Sequence, residues 1–414
     1  MPLFWYQTGG RTLVSDRPDL PLPSAAPGTA SAWLFDRDPR NGRACFCASD
    51  PRQLTAGRED VAFLSPDRID APEPPLTPDL RAQLEARTLT AVNVRHPRWE
   101  RALSLAQTAP GRKRVHLLAV GDVGGTLLTA LKLLGGDCLS AVGICDLQEN
   151  TVRRWVAEME QVSWPWNYDA LPKVEAVDAA HLFDCDVFVF AASRGVPPVG
   201  SGVADVRMAQ FAANRTLIEH AARQARETDF AGTFLVLSDP VDPLCKAAFL
   251  ASNQDRDGVW DGRGLLAEQI RGLGLGVMNA RAAALARKQP EYRRFLDEGR
   301  TFGPHGEGLI AADSVTRYND GVSRALTRQV VEANLLIREL GFKPYVAPAL
   351  SSGALQLLLM LRGQWHCGSV CLGDVWFGCR SRRAGCGLET EALALPDDLF
   401  ARLRESEERL RAIC

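Results

Sequence analysis

The stretch V-H-L-L-A-V-G-D-V-G-G-T, from Val115 to Thr126, constrains the chain more than any other. An apolar strand runs into a glycine turn and straight out into an apolar-faced helix. The first N–H groups of such a helix have no partner within it and face whatever anion the turn admits. Gly121 and Gly124 fill the second and third glycine positions of G-x-G-x-x-G, and Ala119 stands at the first. The order strand, glycine turn, helix turns a weak spacing into a phosphate-loop expectation. A second strand, Ala141 to Cys145, ends in Asp146, 22 residues after Gly124. A carboxylate there accepts hydrogen bonds from a ribose diol and repels a 2′-phosphate, which favours NAD over NADP. The expected cofactor site is Ala119, Gly121, Asp122, Val123, Gly124 and Asp146, with Ala191 and Ala192 at the end of a later strand.

From Arg114 onward, apolar strand runs alternate with amphipathic helical stretches, the pattern of a parallel sheet covered on both faces. Strands are expected at Val115 to Val120, Ala141 to Cys145, Val187 to Ala192 and Thr233 to Leu237. Helices are expected near Thr126 to Leu134, Glu149 to Gln161, Asp205 to Glu227 and Asp242 to Ala251. Before Arg114 the texture differs, because 14 of the 25 prolines lie in residues 1 to 110 and forbid long regular elements. Short strands are expected there at Ser31 to Phe35, Ala44 to Ala48 and Val61 to Leu64, and a helix over Leu76 to Ala91. The fold class is therefore α/β. A Rossmann-type doubly wound parallel sheet (109–252) is followed by an α+β substrate domain (253–414) and preceded by a small irregular, β-rich N-terminal module (1–108).

The charge balance excludes some partners. With 48 basic and 50 acidic residues the net charge is -2, so nothing draws the chain generally to nucleic acid or an anionic membrane. The apolar run Ala354 to Leu361 is far short of the roughly 20 residues a spanning helix needs, and Met1 to Tyr6 lacks a secretory pattern. Eleven scattered cysteines read as free thiols in a reducing compartment, and a cytoplasmic location is expected. Within that scatter, Cys367, Cys371, Cys379 and Cys386 stand close enough to raise tetrahedral zinc as an alternative to packing.

Five segments in order resemble the NAD-dependent lactate/malate dehydrogenase family from Arg114 to Cys414. They are the loop G-D-V-G-G-T; the run A-A-S-R-G-V-P-P-V-G-S-G-V-A-D-V-R-M-A-Q-F-A-A-N-R from Ala191; Ser238-Asp239-Pro240-Val241-Asp242; Val277-Met278-Asn279-Ala280-Arg281; and Gly303-Pro304-His305-Gly306-Glu307. The resemblance implies hydride transfer between nicotinamide and a 2-hydroxy or 2-oxo acid. It assigns His305 the acid/base role, Arg281 the bidentate grip on a substrate carboxylate, and Arg207 the polarisation of the reacting oxygen. Asn214 and Arg194 fall beside the substrate, and family precedent implies a homo-oligomer.

Three departures from the family bear on the reaction. The carboxylate that normally orients the histidine is replaced by Met278, a thioether that can neither accept its proton nor balance its charge. The asparagine of the S-N-P signature is Asp239, which adds a negative charge and offers a relocated partner for His305. The loop residue that separates oxaloacetate from pyruvate falls at about Pro198 or Val199, in a lengthened loop. The expected function is thus an NAD-dependent oxidoreductase acting on a small carboxylate or a larger biosynthetic intermediate. The alternative is an inactive pseudo-dehydrogenase that binds a protein partner.

Overall fold

The structure is a computed structural model that describes residues 2–107, 111–194 and 206–413, with the side chains of Val206 and Arg207 left outside that description. Its strands are β1 (Phe4–Thr8), β2 (Arg11–Ser15), β3 (Ala32–Phe35), β4 (Cys45–Cys47), β5 (Thr90–Asn93), β6 (Lys113–Leu118), β7 (Leu139–Cys145), β8 (Lys173–Ala176), β9 (Val187–Phe190), β10 (Thr233–Val236), β11 (Ile270–Gly272), β12 (Arg300–Phe302), β13 (Ile310–Ala312), β14 (His366–Leu372), β15 (Val375–Ala384) and β16 (Gly387–Thr390). Among the described residues they form three sheets.

The largest sheet runs β16-β15-β14-β11-β10-β9-β6-β7-β8, and its six strands from β11 to β8 are parallel. Counted from β6, their order is 3-2-1-4-5-6, the doubly wound arrangement whose strand order reverses between β6 and β9. These strands are near-continuous runs of buried apolar residues, such as Val-Phe-Val-Phe in β9, because both faces are covered. One face packs Leu127, Leu128 and Leu131 of the helix Asp122–Leu134 against Val115, Leu117 and Val189. The other packs Ile218 and Ala222 of the helix Val206–Glu227 against Phe188, Phe190 and Phe234. The antiparallel hairpin β14-β15 then extends the sheet through Gly272 and Ser369.

The five-stranded sheet β1-β2-β3-β5-β4 occupies the N-terminal region, with β2, β3 and β5 parallel and the two outer pairs antiparallel. One of its faces packs on a cluster of its own, with Leu13, Leu34, Val92 and Leu103, and the other shares its core. Trp33, Phe46, Phe63 and Leu84 belong to one buried cluster with Phe302, Phe377, Leu399 and Leu403 from the far end of the chain. Buried charges reinforce the joint: Glu59 Oε1 accepts from Arg43 Nε at 2.6 Å, and Arg43 Nη1 donates to the carbonyl of Leu388 at 3.5 Å.

Two N-terminal expectations are corrected. Val61 to Leu64 is a 3₁₀ turn and not a strand, because the Asp60 carboxylate accepts the N–H of Ala62 and starts the turn. The helix over Leu76 to Ala91 stops after Glu85: Arg87 adopts φ +59°, and the β-favouring run Thr90–Asn93 becomes β5. No helix among the described residues is long and apolar enough to cross a membrane.

Candidate active site

The glycine loop is shaped by close backbone approach. A side chain at Gly124 would place its Cβ 2.1 Å from the carbonyl oxygen of Ala119, so only glycine lets the helix begin there. Ala119 itself sits at φ +75°, a left-handed conformation that glycine adopts without strain. Asp146, at the end of β7, accepts the N–H of Val120 at 2.9 Å and that of Gln148 at 3.0 Å, so its carboxylate is fixed beside the loop. Val123 turns inward to the core, whereas Gly121 and Asp122 are exposed at the helix start. An open groove of about 530 Å³ lies over this turn, lined by Gly121, Thr126, Asn150, Trp155 and Tyr345 among others. Trp155 donates to the carbonyl of Val120 at 3.2 Å, and Lys343 reaches Asp122 at 3.2 Å across 221 positions of sequence. Neither contact has a local sequence signal.

The path from this loop to the catalytic candidates follows the carboxyl ends of the parallel strands. Ala191 donates its N–H to the carbonyl of Leu118 at 3.1 Å, and its Cβ lies beneath Gly124. Ser238 hydrogen-bonds the carbonyl of Ala192. Asn214 is fully buried; its amide donates to the carbonyl of Asp239 at 2.8 Å and accepts the N–H of Arg194 at 3.0 Å. Arg194 is therefore pinned by its backbone, with its side chain exposed. The Arg207 side chain and Pro198 and Val199 lie outside the described residues.

His305 Nδ1 stands 3.4 Å from Asp239 Oδ1, while Met278 is buried in the apolar cluster beneath. A carboxylate thus stands beside the ring, at the Asp239-Pro240 bond, which is cis. Glu307, the other acid near the ring in sequence, is exposed. The histidine loop is held by a residue that the sequence showed only as part of a signature: buried Asp242 accepts the backbone N–H of His305 at 3.3 Å and the hydroxyl of Ser369. Gly274 packs so closely that an added Cβ would meet the Cβ of His305 at 2.7 Å.

Arg281, on the helix Leu275–Lys288, donates to the carbonyl of Val330 at 3.3 Å and touches the sulfur of Met278 at 3.7 Å. Burial holds its guanidinium below its ordinary value, and the nearby Asp239 charge opposes that shift. A guanidinium has five N–H donors, so these contacts leave enough for a carboxylate.

The four C-terminal thiols do not converge. Cys379 faces the core shared with the N-terminal sheet, Cys371 the opposite face against the helix Val241–Ser252, and Cys367 the cluster around Met278. Adjacent strand positions point to opposite faces, so pairing Gly368 with Cys379 separates that thiol from Cys367 and Cys371. Cys386 meets Cys47 of β4 instead, both thiols pointing at the carbonyl of Arg87. No cluster of three metal-ligating side chains occurs among the described residues.

A doubly wound parallel sheet, extended by an antiparallel hairpin and with a histidine loop at its carboxyl edge, has the lactate/malate dehydrogenase fold. Solved structures bear this out. A minor L-lactate dehydrogenase from Enterococcus mundtii superposes with TM-score 0.58 at 17% identity, over 73% of this chain and 97% of that one. Malate dehydrogenase from Archaeoglobus fulgidus, in complex with NADH, gives 0.55 at 18% over 72% and 98%. In sequence, the chain is 26% identical over 207 residues to the L-lactate dehydrogenase of Treponema denticola, covering 50% of this chain and spanning 58% of the length of that relative. No family model matches. The chain therefore has the fold of the lactate and malate dehydrogenases, and 27% of it lies outside the structural likeness to the Enterococcus enzyme.

Proposed function

We propose that the protein is an NAD-dependent oxidoreductase that interconverts a 2-hydroxy and a 2-oxo acid. The observation that carries this reading is the His305–Asp239 pair, 3.4 Å apart, on the same sheet edge as the glycine loop. The loop suits a dinucleotide: Gly121 has open space before it, Gly124 lets the helix pack against the strand, and the Asp146 carboxylate would accept hydrogen bonds from a ribose diol. When bound, the nicotinamide supplies or accepts the hydride. His305 removes the hydroxyl proton of the alcohol, or returns it to the oxo form, and Asp239 orients the ring and stabilises imidazolium. Arg281 holds the substrate carboxylate and Arg207 the reacting oxygen. Asp239 leaves more negative charge beside the substrate than an asparagine would, which favours a singly charged acid over a dicarboxylate.

Free thiols at all ten described cysteines suit a reducing, cytoplasmic setting. Exposed Leu335, Leu336, Leu340, Phe342 and Val346 on one segment support self-association into a homo-oligomer.

The test is steady-state turnover of 2-oxoacids with NADH. Wild type should reduce at least one monocarboxylic acid. His305→Asn should lose roughly 10²- to 10⁴-fold in kcat. Arg281→Lys should raise KM, because an ammonium cannot form the bidentate pair. NADH binding without turnover of any 2-oxoacid, unaltered by either substitution, would replace this reading with that of a pseudo-dehydrogenase serving a partner.

A further inference from the structure

A second cavity, of about 270 Å³, lies at the opposite end of the parallel sheet from the glycine loop. Distant parts of the chain enclose it, among them Cys45 and Leu105 to Gln107 from the N-terminal region, the amino ends of β9 and β10 at Val187 and Thr233, and Arg383 with Gly387 from the C-terminal hairpin. Arg271 of β11 also lines it. That residue is only 5% exposed, and its Nε and Nη1 make no hydrogen bond among the described residues. A buried guanidinium with two idle donors is costly.

The charges around the cavity favour an anion. Arg271, Arg383 and Lys113 supply three positive groups against the carboxylates of Glu268 and Asp186. Asp186 lies 3.7 Å from Lys113. Glu268 is already engaged by three donors: the N–H groups of Ala44 and Cys45, each at 3.0 Å, and the Cys45 thiol at 3.1 Å. One positive charge remains over. Burial pushes Arg271 down to about 9, with the neighbouring Arg383 adding to the shift, so it stays charged at neutral pH. Arg383 donates to the carbonyl of Leu105 at 2.8 Å, which ties the hairpin to the N-terminal region at the rim.

We propose that this cavity is a binding site for a small oxyanion, a carboxylate or phosphate, gripped by Arg271 and Arg383. The planar guanidinium fork matches both groups. The volume admits one small molecule and not a dinucleotide. Because the walls come from distant segments, the ligand fastens the N-terminal region to the sheet and the hairpin. The site does not depend on the dehydrogenase reading, since it shares no residue with the glycine loop or with His305.

The experiment is thermal unfolding and isothermal titration of the full-length protein with inorganic phosphate, malonate and acetate in parallel, at constant ionic strength and with chloride as control. At least one oxyanion should raise the unfolding temperature saturably; the phosphate arm against the two carboxylate arms identifies the source. Arg271→Met should unfold no earlier than wild type without ligand, since it removes an unpaired buried charge, yet bind the same anion at least tenfold more weakly. Arg383→Met, at the rim, serves as a second variant should Arg271→Met fail to fold. NADH affinity should be unchanged in both. Absence of saturable binding by all three anions, or binding that survives Arg271→Met and Arg383→Met undiminished, would overturn the proposal.

Discussion

The two ends of the parallel sheet are built to opposite rules. At the carboxyl ends, the candidate groups are secured by bonds from short, recognisable segments: Asp146 to the loop N–H of Val120, Asn214 to the carbonyl of Asp239, Asp242 to the N–H of His305. At the amino ends, Glu268, Arg271 and Arg383 are charged groups sunk among residues from separate parts of the chain. The second end exists because the N-terminal region buries its apolar face against β15 and the last helix, in one cluster that includes Trp33, Phe46, Phe377 and Leu403. The difference teaches that residues 1–108 are no appendage: without them that cluster and the floor of the second cavity would be open to water.

The sharpest way to break this contrast is to attack the shared core. Trp33 is fully buried and its indole donates to the carbonyl of Leu54 at 3.1 Å. Trp33→Ala should cost about 3–5 kcal/mol and lower the stability of the whole chain in one transition. A separate early melting step in calorimetry, with the remainder unchanged, would show instead that the two regions unfold independently.

At the carboxyl edge, Asp239→Asn should reduce kcat about a hundredfold and alter the pH dependence of kcat/KM, while NADH affinity holds. If Asp239 merely packs, the pH profile will not move. Such a loss corresponds to about 2.7 kcal/mol of transition-state stabilisation.

Glu407 joins the last helix to the N-terminal region, beside Asp60 and Val61, and burial pushes its carboxyl up to about 7, with Arg411 opposing. The folded chain thus holds a proton that the unfolded chain, near 4.5, has already released. The associated stability is full below that unfolded value and is lost as the pH rises through 7, to the extent of about 3 kcal/mol. Glu407→Gln should flatten this dependence in denaturant titrations between pH 5 and 8; an unchanged slope would assign it to other groups.

The smallest expected effect lies in the glycine loop. Ala119→Gly removes a left-handed alanine and should stabilise the fold by about 0.5–1 kcal/mol without weakening NADH binding. A destabilisation would mean that the methyl group packs usefully.

Much of the carboxyl edge was legible in the sequence, for a physical reason. A strand, a glycine turn and a helix start are local, so V-H-L-L-A-V-G-D-V-G-G-T announces its own geometry. Asn214 and Asp239 were legible only through the family resemblance of the segments that carry them. The partner of His305 was not fixed by sequence: Glu307 lies two positions away, whereas Asp239, in the altered signature, lies 66 positions before it. Sheet pairing brought Asp239 to 3.4 Å and left Glu307 exposed. Ser369, Lys343 and Tyr345 carried no local signal.

The sequence by itself determined the alternation of strand and helix from Arg114 onward, because apolar periodicity and glycine positions act over a few residues at a time. It also put a methionine at position 278, where the family resemblance implies a carboxylate. Only the tertiary structure decided that the N-terminal strands share a core with the C-terminal hairpin, that the four C-terminal thiols face different ways, and that Arg271 lies buried beside an open cavity. Those outcomes depend on which surfaces bury one another across hundreds of residues, and desolvation has no period along a chain.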